Sequence, residues 1–462
     1  MKALKVLAGF TLFLSIAIAP LANAEVSDAE FQQLKDMLNQ ALERIDELEA
    51  KDRGIAITQQ AEIEVEAEVA VTTAEQVAAN TVRLEKISWA ERIRWQGDFR
   101  YRYQPEETSG RLDTTNPYPN DDISRNRQRI LARVAMIADL GNDIDVGFGL
   151  ATGGDNPVSA NTTLGGAGAK KEINLDLAYF DWKFATGSNL AAGKFKNQFV
   201  DVGNTGLFWD ADWRPEGFDL RYRGDFLYAT LLGTWLAADN LSGSGNSFNY
   251  GLQLGTKPKL GNAMFDIGAG YWMIKADDRD CYAAGGTGDN CFGNTEVNGA
   301  GQVDGVGGMY AMDYAPVELY AKVSFGSQLP VGLFVDFAKN IDAETIQGGP
   351  SNGKKLDTAY VAGAWLGAGK QQGQWQIKAY YQDKEADSVL GILTDSDFAG
   401  GGTDSKGYVL EGKYMLTGNT YVKAKWLSAE RQDSNGYESG DPATSNPYDV
   451  DTLQLDVQFK YK

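Results

Sequence analysis

The chain has 462 residues, of which 43% are hydrophobic, yet its mean hydropathy is −0.35 and its formal net charge is −20. This acidic balance excludes a nucleic-acid partner, because phosphate binding requires clustered positive charge. Histidine is absent, which removes histidine-based catalytic triads and histidine-ligated zinc. We therefore predict a protein that is not an enzyme and that needs no cofactor.

The amino terminus, residues 1–24, has the pattern of a cleaved secretory signal peptide. Lys2 and Lys5 supply the positive start, residues 6–19 the apolar core, and residues 22–24 a small-residue cleavage site. The alternative is an uncleaved membrane anchor, for which the apolar core is too short. No long apolar run follows, so no transmembrane helix is predicted in the mature chain.

Residues 25–54 are predicted to form a short periplasmic coiled-coil helix. Apolar residues recur at spacings of three and four, with charged residues on the other faces, and Ser27 and Glu30 form a capping-box pair. A helix this short needs partner copies or another surface, so we expect copies of the chain to join through it; the alternative is one helix that folds onto, or plugs, the barrel predicted below for residues 93–462. The predicted core positions are Phe31, Leu34, Leu38, Ala41, Ile45 and Leu48.

The region 55–92, rich in alanine and glutamate, is predicted to be a periplasmic linker, and 93–462 to be an outer-membrane β-barrel. From Ile93 onward apolar and polar residues alternate, and the same pattern recurs to the carboxyl end in TLQLDVQFKYK. Strands of this length with apolar residues outward and polar residues inward are typical of membrane barrels. A soluble sandwich also alternates, but it would not carry so many aromatic residues on its outer face.

The connections predict about sixteen antiparallel strands. Short polar turns alternate with long Gly-, Asn- and Asp-rich segments, which is the outer-membrane signature of short periplasmic turns and long external loops. Eight long segments imply sixteen strands, and fourteen or eighteen are also acceptable. The long segments lie near 104–124, 153–172, 197–215, 237–247, 276–314, 342–356, 386–404 and 432–449.

The two cysteines of the chain, Cys281 and Cys291, lie together in one Gly-rich segment. In the oxidising periplasm such a pair is expected to form a disulfide. The alternative is a metal site, for which other soft ligands are missing.

Taken together, the signal, the short coiled coil, the acidic linker and the strand pattern resemble the Gram-negative putative porin family. The segments IRWQGDFRYRY, RNRQRILARVAMIADL and ATGGDNP contribute to this resemblance, which covers roughly residues 27–462. It implies an outer-membrane location and pore activity, and it implies no particular solute. One departure is that Lys462 follows the terminal aromatic residues Phe459 and Tyr461, which predicts a mild effect on membrane insertion.

Arginines on the polar faces of the first two strands are the candidates for solute selection. Selectivity in a wide barrel depends on a ring of charged side chains. We hypothesise an anion-attracting wall; the alternative is that lumenal Asp98 and Asp145, or an inward-folded loop, neutralise it. Acidic external loops, such as the one that contains Asp277–Asp278, would reduce the entry of anions, so the sign of the ion selectivity is left open. The candidates are Arg94, Arg100, Arg102, Arg127, Arg129 and Arg133, with Arg125 on the same face.

The predicted function is therefore a porin for passive diffusion of small hydrophilic solutes or ions. The runner-up is a structural or adhesive barrel with little channel activity. A plugged active transporter is disfavoured because residues 25–92 are too few for a globular plug. The expected partners are outer-membrane lipid, lipopolysaccharide bridged through divalent cations to the acidic loops, and two further copies of the chain in a homotrimer.

Overall fold

The structure is a computed structural model that describes residues 90–111, 122–237, 247–277, 280–281, 291–297, 303, 308–326, 328–434 and 446–461, with seven separate positions between 32 and 43. Those seven positions are helical and exposed. The predicted signal peptide, the six coiled-coil core residues and nearly all of the linker lie outside the described residues. Within the described part, no helix is long and apolar enough to cross a membrane.

The chain divides into two compact units. The smaller unit comprises residues 1–95 and Ile137–Asp139, where the structure describes a 3-10 turn at Ala90–Arg92, the start of one strand and the end of another. The larger unit comprises residues 96–136 and 140–462 and contains the barrel wall and its lumen.

Sixteen antiparallel strands close into a barrel, which confirms the predicted fold and strand number. The first strand pairs with the last over the register Gly97↔Tyr461 to Ser109↔Asp449, so the sheet has no free edge. In chain order the strands are β1 Ile93–Ser109, β2 Ile123–Asp139, β3 Ile144–Thr152, β4 Ile173–Ala185, β5 Ser188–Lys194, β6 Glu216–Arg223, β7 Leu227–Ala237, β8 Ser247–Thr256, β9 Ala263–Met273, β10 Pro316–Phe325, β11 Val331–Asn340, β12 Thr358–Leu366, β13 Trp375–Lys384, β14 Ser405–Met415, β15 Thr420–Arg431 and β16 Tyr448–Tyr461.

The connections alternate between short turns at one end of the barrel, the turn end, and long loops at the other, the loop end. Short extra strands occur only within connections in the described part of the chain: Thr162–Thr163 pairs with β2, Lys259–Leu260 pairs with β9, and Glu296–Val297 pairs with Met309–Tyr310. Eight long connections, which include residues outside the described part of the chain, join the strands across 110–122, 153–172, 195–215, 238–246, 274–315, 341–357, 385–404 and 432–447.

The outer face of the wall is apolar, as predicted from the alternation. In β11, for example, Val331, Leu333 and Val335 are exposed while their neighbours point inward. The inner face departs from the expectation of a purely polar lumen, since Phe334, Tyr320 and Trp272 are inward and buried. Two loops that enter the barrel and pack against these residues explain the difference.

The first of these, loop 195–215, is held against the wall by aromatic rings. The rings of Phe199 and Trp272 meet edge to face with centroids 3.9 Å apart, and Trp209 stacks on Trp213 at 4.6 Å. Gln253 of β8 fixes the same loop by accepting from the Val200 amide at 2.7 Å and donating to the Val200 carbonyl at 3.0 Å. Aromatic burial and paired polar groups together give this loop one fixed position.

The second, loop 385–404, is fastened by Asn294 of loop 274–315. The Asn294 amide donates to the Ala386 carbonyl at 2.6 Å and to the Val389 carbonyl at 2.8 Å, and its oxygen accepts from the Gly391 amide at 2.8 Å. The two inward loops also bond to each other, because the Asp210 amide donates to the Leu393 carbonyl at 2.7 Å.

The predicted disulfide between Cys281 and Cys291 is confirmed, with Cα atoms 5.0 Å apart. It closes the part of loop 274–315 that precedes Asn294. The Cys291 amide donates to the Glu296 carboxylate at 2.9 Å, so the bridge adjoins the hairpin that carries Asn294.

Candidate pore constriction

Five of the predicted arginines, Arg100, Arg102, Arg127, Arg129 and Arg133, contact inward-facing groups of the barrel, and three of them are neutralised by carboxylates. Arg102 contacts Asp456 of β16 at 2.7 Å and Asp397 of loop 385–404 at 2.9 Å, and it is only 2% exposed. The sequence left open the alternative that lumenal carboxylates or an inward-folded loop neutralise the arginines. The contacts of Arg102 are of this kind.

Arg133 and Arg127 are paired in the same way. Arg133 contacts Asp98 at 2.8 Å and Asp212 of loop 195–215 at 2.6 Å, while Arg127 contacts Glu106 at 2.6 Å. Because each of these arginines has a carboxylate within 3 Å, it adds little net charge to the lumen.

Arg100 and Arg129 differ from these three. Arg100 donates to the Asn161 side chain at 2.5 Å and forms no ion pair with a described carboxylate. Arg129 donates to Gln104 at 3.3 Å and lies 3.8 Å from Asp397. Arg125 is exposed. Arg94 lies in the smaller unit, whereas the residues of this site lie in the larger unit.

Four lysines of β13, β14 and β15 also face the lumen, and sequence reasoning missed them. Lys425 lies 3.2 Å from Asp395, and Lys423 lies 3.7 Å from Glu411. The signal was present in YVKAKW, where Lys423 and Lys425 alternate with apolar residues and so must share the inward face. The other two lysines are Lys378 and Lys413.

These side chains and the two inward loops enclose a cavity of about 590 Å³. The barrel wall contributes the cations, and the loops contribute five carboxylates on the facing side. A pore lined in this way has a transverse electric field that acts on any charged solute. The loop carboxylates are Asp201, Asp210, Asp212, Asp395 and Asp397.

The loop carboxylates differ in their proton affinity. Burial raises the pKa of Asp201 to about 6. Burial, with repulsion from Asp212 and Asp395, raises the pKa of Asp210 well above its ordinary value. Burial acts in the same direction on Asp397, but the charges of Arg102, Lys425 and Arg129 outweigh it and hold its pKa far below the ordinary range.

Within the described residues, no group of three or more Cys, Asp or Glu side chains has the geometry to hold a metal ion. The charged side chains that line the cavity can attract and orient charged solutes.

A closed sixteen-stranded barrel with an apolar outer face and a charged lumen defines a β-barrel protein of the bacterial outer membrane. The family model described as "Putative porin" matches residues 105–272 and 290–461, and the chain belongs to that family. A search of curated proteins found no match.

Several solved structures are similar to this chain over most of its length. OprB of Pseudomonas putida is 13% identical, with 79% of this chain and 94% of that chain covered and a TM-score of 0.49. OmpF of Salmonella typhi, in a complex with daunomycin, is 12% identical, with 80% and 97% covered and a TM-score of 0.45. The trimer form of Vibrio cholerae OmpT is 10% identical, with 80% and 99% covered and a TM-score of 0.39.

Proposed function

We propose that this protein is a non-enzymatic outer-membrane channel for passive diffusion of small hydrophilic solutes, and that it favours anions. The observation that carries the proposal is the charged cavity between the barrel wall and the two inward loops. Eight arginine and lysine side chains line it against six carboxyl groups. Burial raises the pKa of Asp201 and of Asp210, so it disfavours the negative charge of two of those carboxyl groups.

The turn end is assigned to the periplasm and the loop end to the cell exterior, because outer-membrane barrels keep their short turns inside. The amino-terminal segment then lies in the periplasm. The acidic external loops would bind lipopolysaccharide phosphates through divalent cations.

A homotrimer is proposed from the predicted heptad seam in residues 25–54 and from the outer face of β1 and β2. Tyr101 donates to Gln128 at 2.6 Å and Tyr103 donates to Asn126 at 3.1 Å, both on the exposed outer face near the loop end. Polar pairs on an outward face suit contact with another protein chain better than contact with lipid tails.

The test is the current through purified protein in a planar lipid bilayer. In a KCl gradient the reversal potential should have the sign of anion preference. Arg100→Gln should lower the anion-to-cation permeability ratio about twofold, because it removes an unpaired lumenal charge. Lys194→Gln is the matched control, since Lys194 is paired with Glu216 at 2.7 Å outside the cavity.

A cation-selective reversal potential would contradict the anion preference. Purified, folded protein that opens no channels would contradict the diffusion role and favour the structural or adhesive one.

A further inference from the structure

Three lysines lie at the turn end of the lumen, and two of them, Lys370 and Lys413, also line the cavity of the constriction. Lys413 lies near the end of β14, Lys460 near the end of β16, and Lys370 in the turn between β12 and β13. Lys370, Lys378 and Lys460 are the lysines whose charges act on the ammonium group of Lys413. We call Lys370, Lys413 and Lys460 the lysine cluster.

The charge of Glu411 also acts on Lys413, but Glu411 is shared with Lys378 and Lys423, so the lysine cluster has no carboxylate of its own in ion-pair contact. None of its members forms an ion pair with a carboxylate in the described part of the chain, whereas the nearby Lys378 and Lys423 lie 3.9 and 3.7 Å from Glu411. Asp98 pairs in register with Lys460, but its carboxylate is bound by Arg133 and Gln458. Like charges held together without a partner repel, and a bound anion relieves that repulsion.

The surrounding residues hold the lysine cluster in place. The ammonium groups of Lys413 and Lys460 lie 5.7 and 5.6 Å from the centroid of the Tyr421 ring. Gly369 gives Lys413 room, because a Cβ there would lie 2.7 Å from Lys413 Cε. The backbone amide of Lys370 donates to the Gln374 side chain at 3.1 Å, which fixes the turn. Side chains positioned in this way lose less entropy when they bind a ligand.

We propose that the lysine cluster is a binding site for small solutes with two or more negative charges on carboxylate or phosphate oxygens, at the periplasmic mouth of the channel. The proposal rests on the proposed channel function and adds the class of solute that this channel retains. Lys370 and Lys413 line the same cavity as the constriction, so an anion that passes the constriction reaches the cluster directly. A chloride ion meets the same charges but has only one charge to neutralise them.

The experiment measures block of the single-channel KCl current by citrate or by inorganic phosphate, with acetate at equal ionic strength as the monovalent control. Each anion is added in turn to either side of the bilayer. Citrate and phosphate should reduce the current at lower concentration than acetate, and at lower concentration from the turn-end side. In Lys413→Gln/Lys460→Gln the half-blocking concentration should rise about tenfold and the difference between the sides should disappear.

Lys406→Gln is the control variant, because Lys406 lies at the loop-end side of β14 and is paired with Glu430 at 2.9 Å. Its half-blocking concentrations should equal those of the wild type. The double variant removes a cavity lysine and can therefore change the KCl current, but channels that open in KCl, at any conductance, show that its barrel has folded. Equal block by acetate and citrate, or unchanged block in the double variant, would overturn the binding site while leaving the channel function intact. If no channel opens in KCl, the channel function itself fails and this proposal fails with it.

Discussion

Asp397 and Asp201 show how residues of one constriction acquire opposite protonation behaviour. Asp397 lies between Arg102 and Arg129, at 2.9 and 3.8 Å, and stays ionised because those charges offset its burial. Asp201 accepts two backbone amides, from Thr205 and Gly206, each at 3.1 Å, yet burial still raises its pKa to about 6. The electric field in the lumen therefore has a fixed contribution from the ionised Asp397 and a contribution from Asp201 that changes as its carboxyl group titrates.

The titrating component makes ion preference dependent on pH. A carboxyl group with a pKa of about 6 is charged above that pH and neutral below it. As the pH falls through this value the cavity loses negative charge, so the anion-to-cation permeability ratio should rise. Reversal potentials measured between about pH 7.5 and about pH 5 would show the rise, with its midpoint near the pKa of Asp201.

Asp201→Asn is the variant that isolates this group. It should have the low-pH permeability ratio already at neutral pH, and the step near pH 6 should shrink. A wild-type ratio that stays constant or falls on acidification would refute the assignment.

At the scale of elements, the strands were predictable from the sequence and the inward loops were not. The alternation of apolar and polar residues and the chemistry of the turns are local signals, so the sixteen strands and eight long loops follow from short windows of sequence. The position of loop 195–215 depends on Trp209 meeting Trp272, at 4.7 Å, and such contacts between distant residues leave no local pattern. The alternation in YVKAKW was a local signal for Lys423 and Lys425, but their convergence with Lys378 and Lys413 of two other strands leaves no local pattern.

At the same scale, a substitution of Asn294 tests what holds loop 385–404 in place at the constriction. Asn294→Ala removes its bonds to the backbone of loop 385–404, each worth on the order of 1 kcal/mol. The loop should then move away from Asp210 and widen the cavity. We expect a larger and noisier single-channel current than in the wild type.

Asn446→Ala is the matched control, because the Asn446 side chain also bonds to a backbone carbonyl, that of Gly110 at 3.0 Å, but in an exposed loop. It should leave the current unchanged. Indistinguishable currents from Asn294→Ala and the wild type would show that the aromatic contacts alone fix the constriction.

At the scale of the whole molecule, net charge and pore charge are separate quantities. The chain carries −20, yet arginine and lysine outnumber carboxyl groups along the cavity. Solutes in the lumen respond to the nearby lining, since water and salt screen charges farther away than about 10 Å. The acidic composition that excluded nucleic acid therefore does not decide the ion preference.

Gly97 lies where three strands approach closely at the seam of the barrel, and this supports a final prediction. Gly97 of β1 pairs with Tyr461 of β16, whose hydroxyl donates to the Arg133 carbonyl of β2 at 2.8 Å, so one side chain joins three strands. A Cβ at residue 97 would lie well under 3.0 Å from both the Arg133 carbonyl oxygen and the Tyr461 ring. Gly97→Val should therefore destabilise the barrel by about 1–3 kcal/mol.

Gly412→Val is the control, because a Cβ on Gly412 of β14 meets nothing within 4 Å. The measurement is the temperature at which the folded barrel, followed by its gel mobility in detergent, converts to the unfolded form. Gly97→Val should convert at a lower temperature than the wild type, Gly412→Val at about the same one, and Tyr461→Ala should lose stability through the same seam. Equal temperatures for the two glycine variants would mean that the sheet shifts to accept a side chain at residue 97, and that the other strand pairs alone hold the barrel closed.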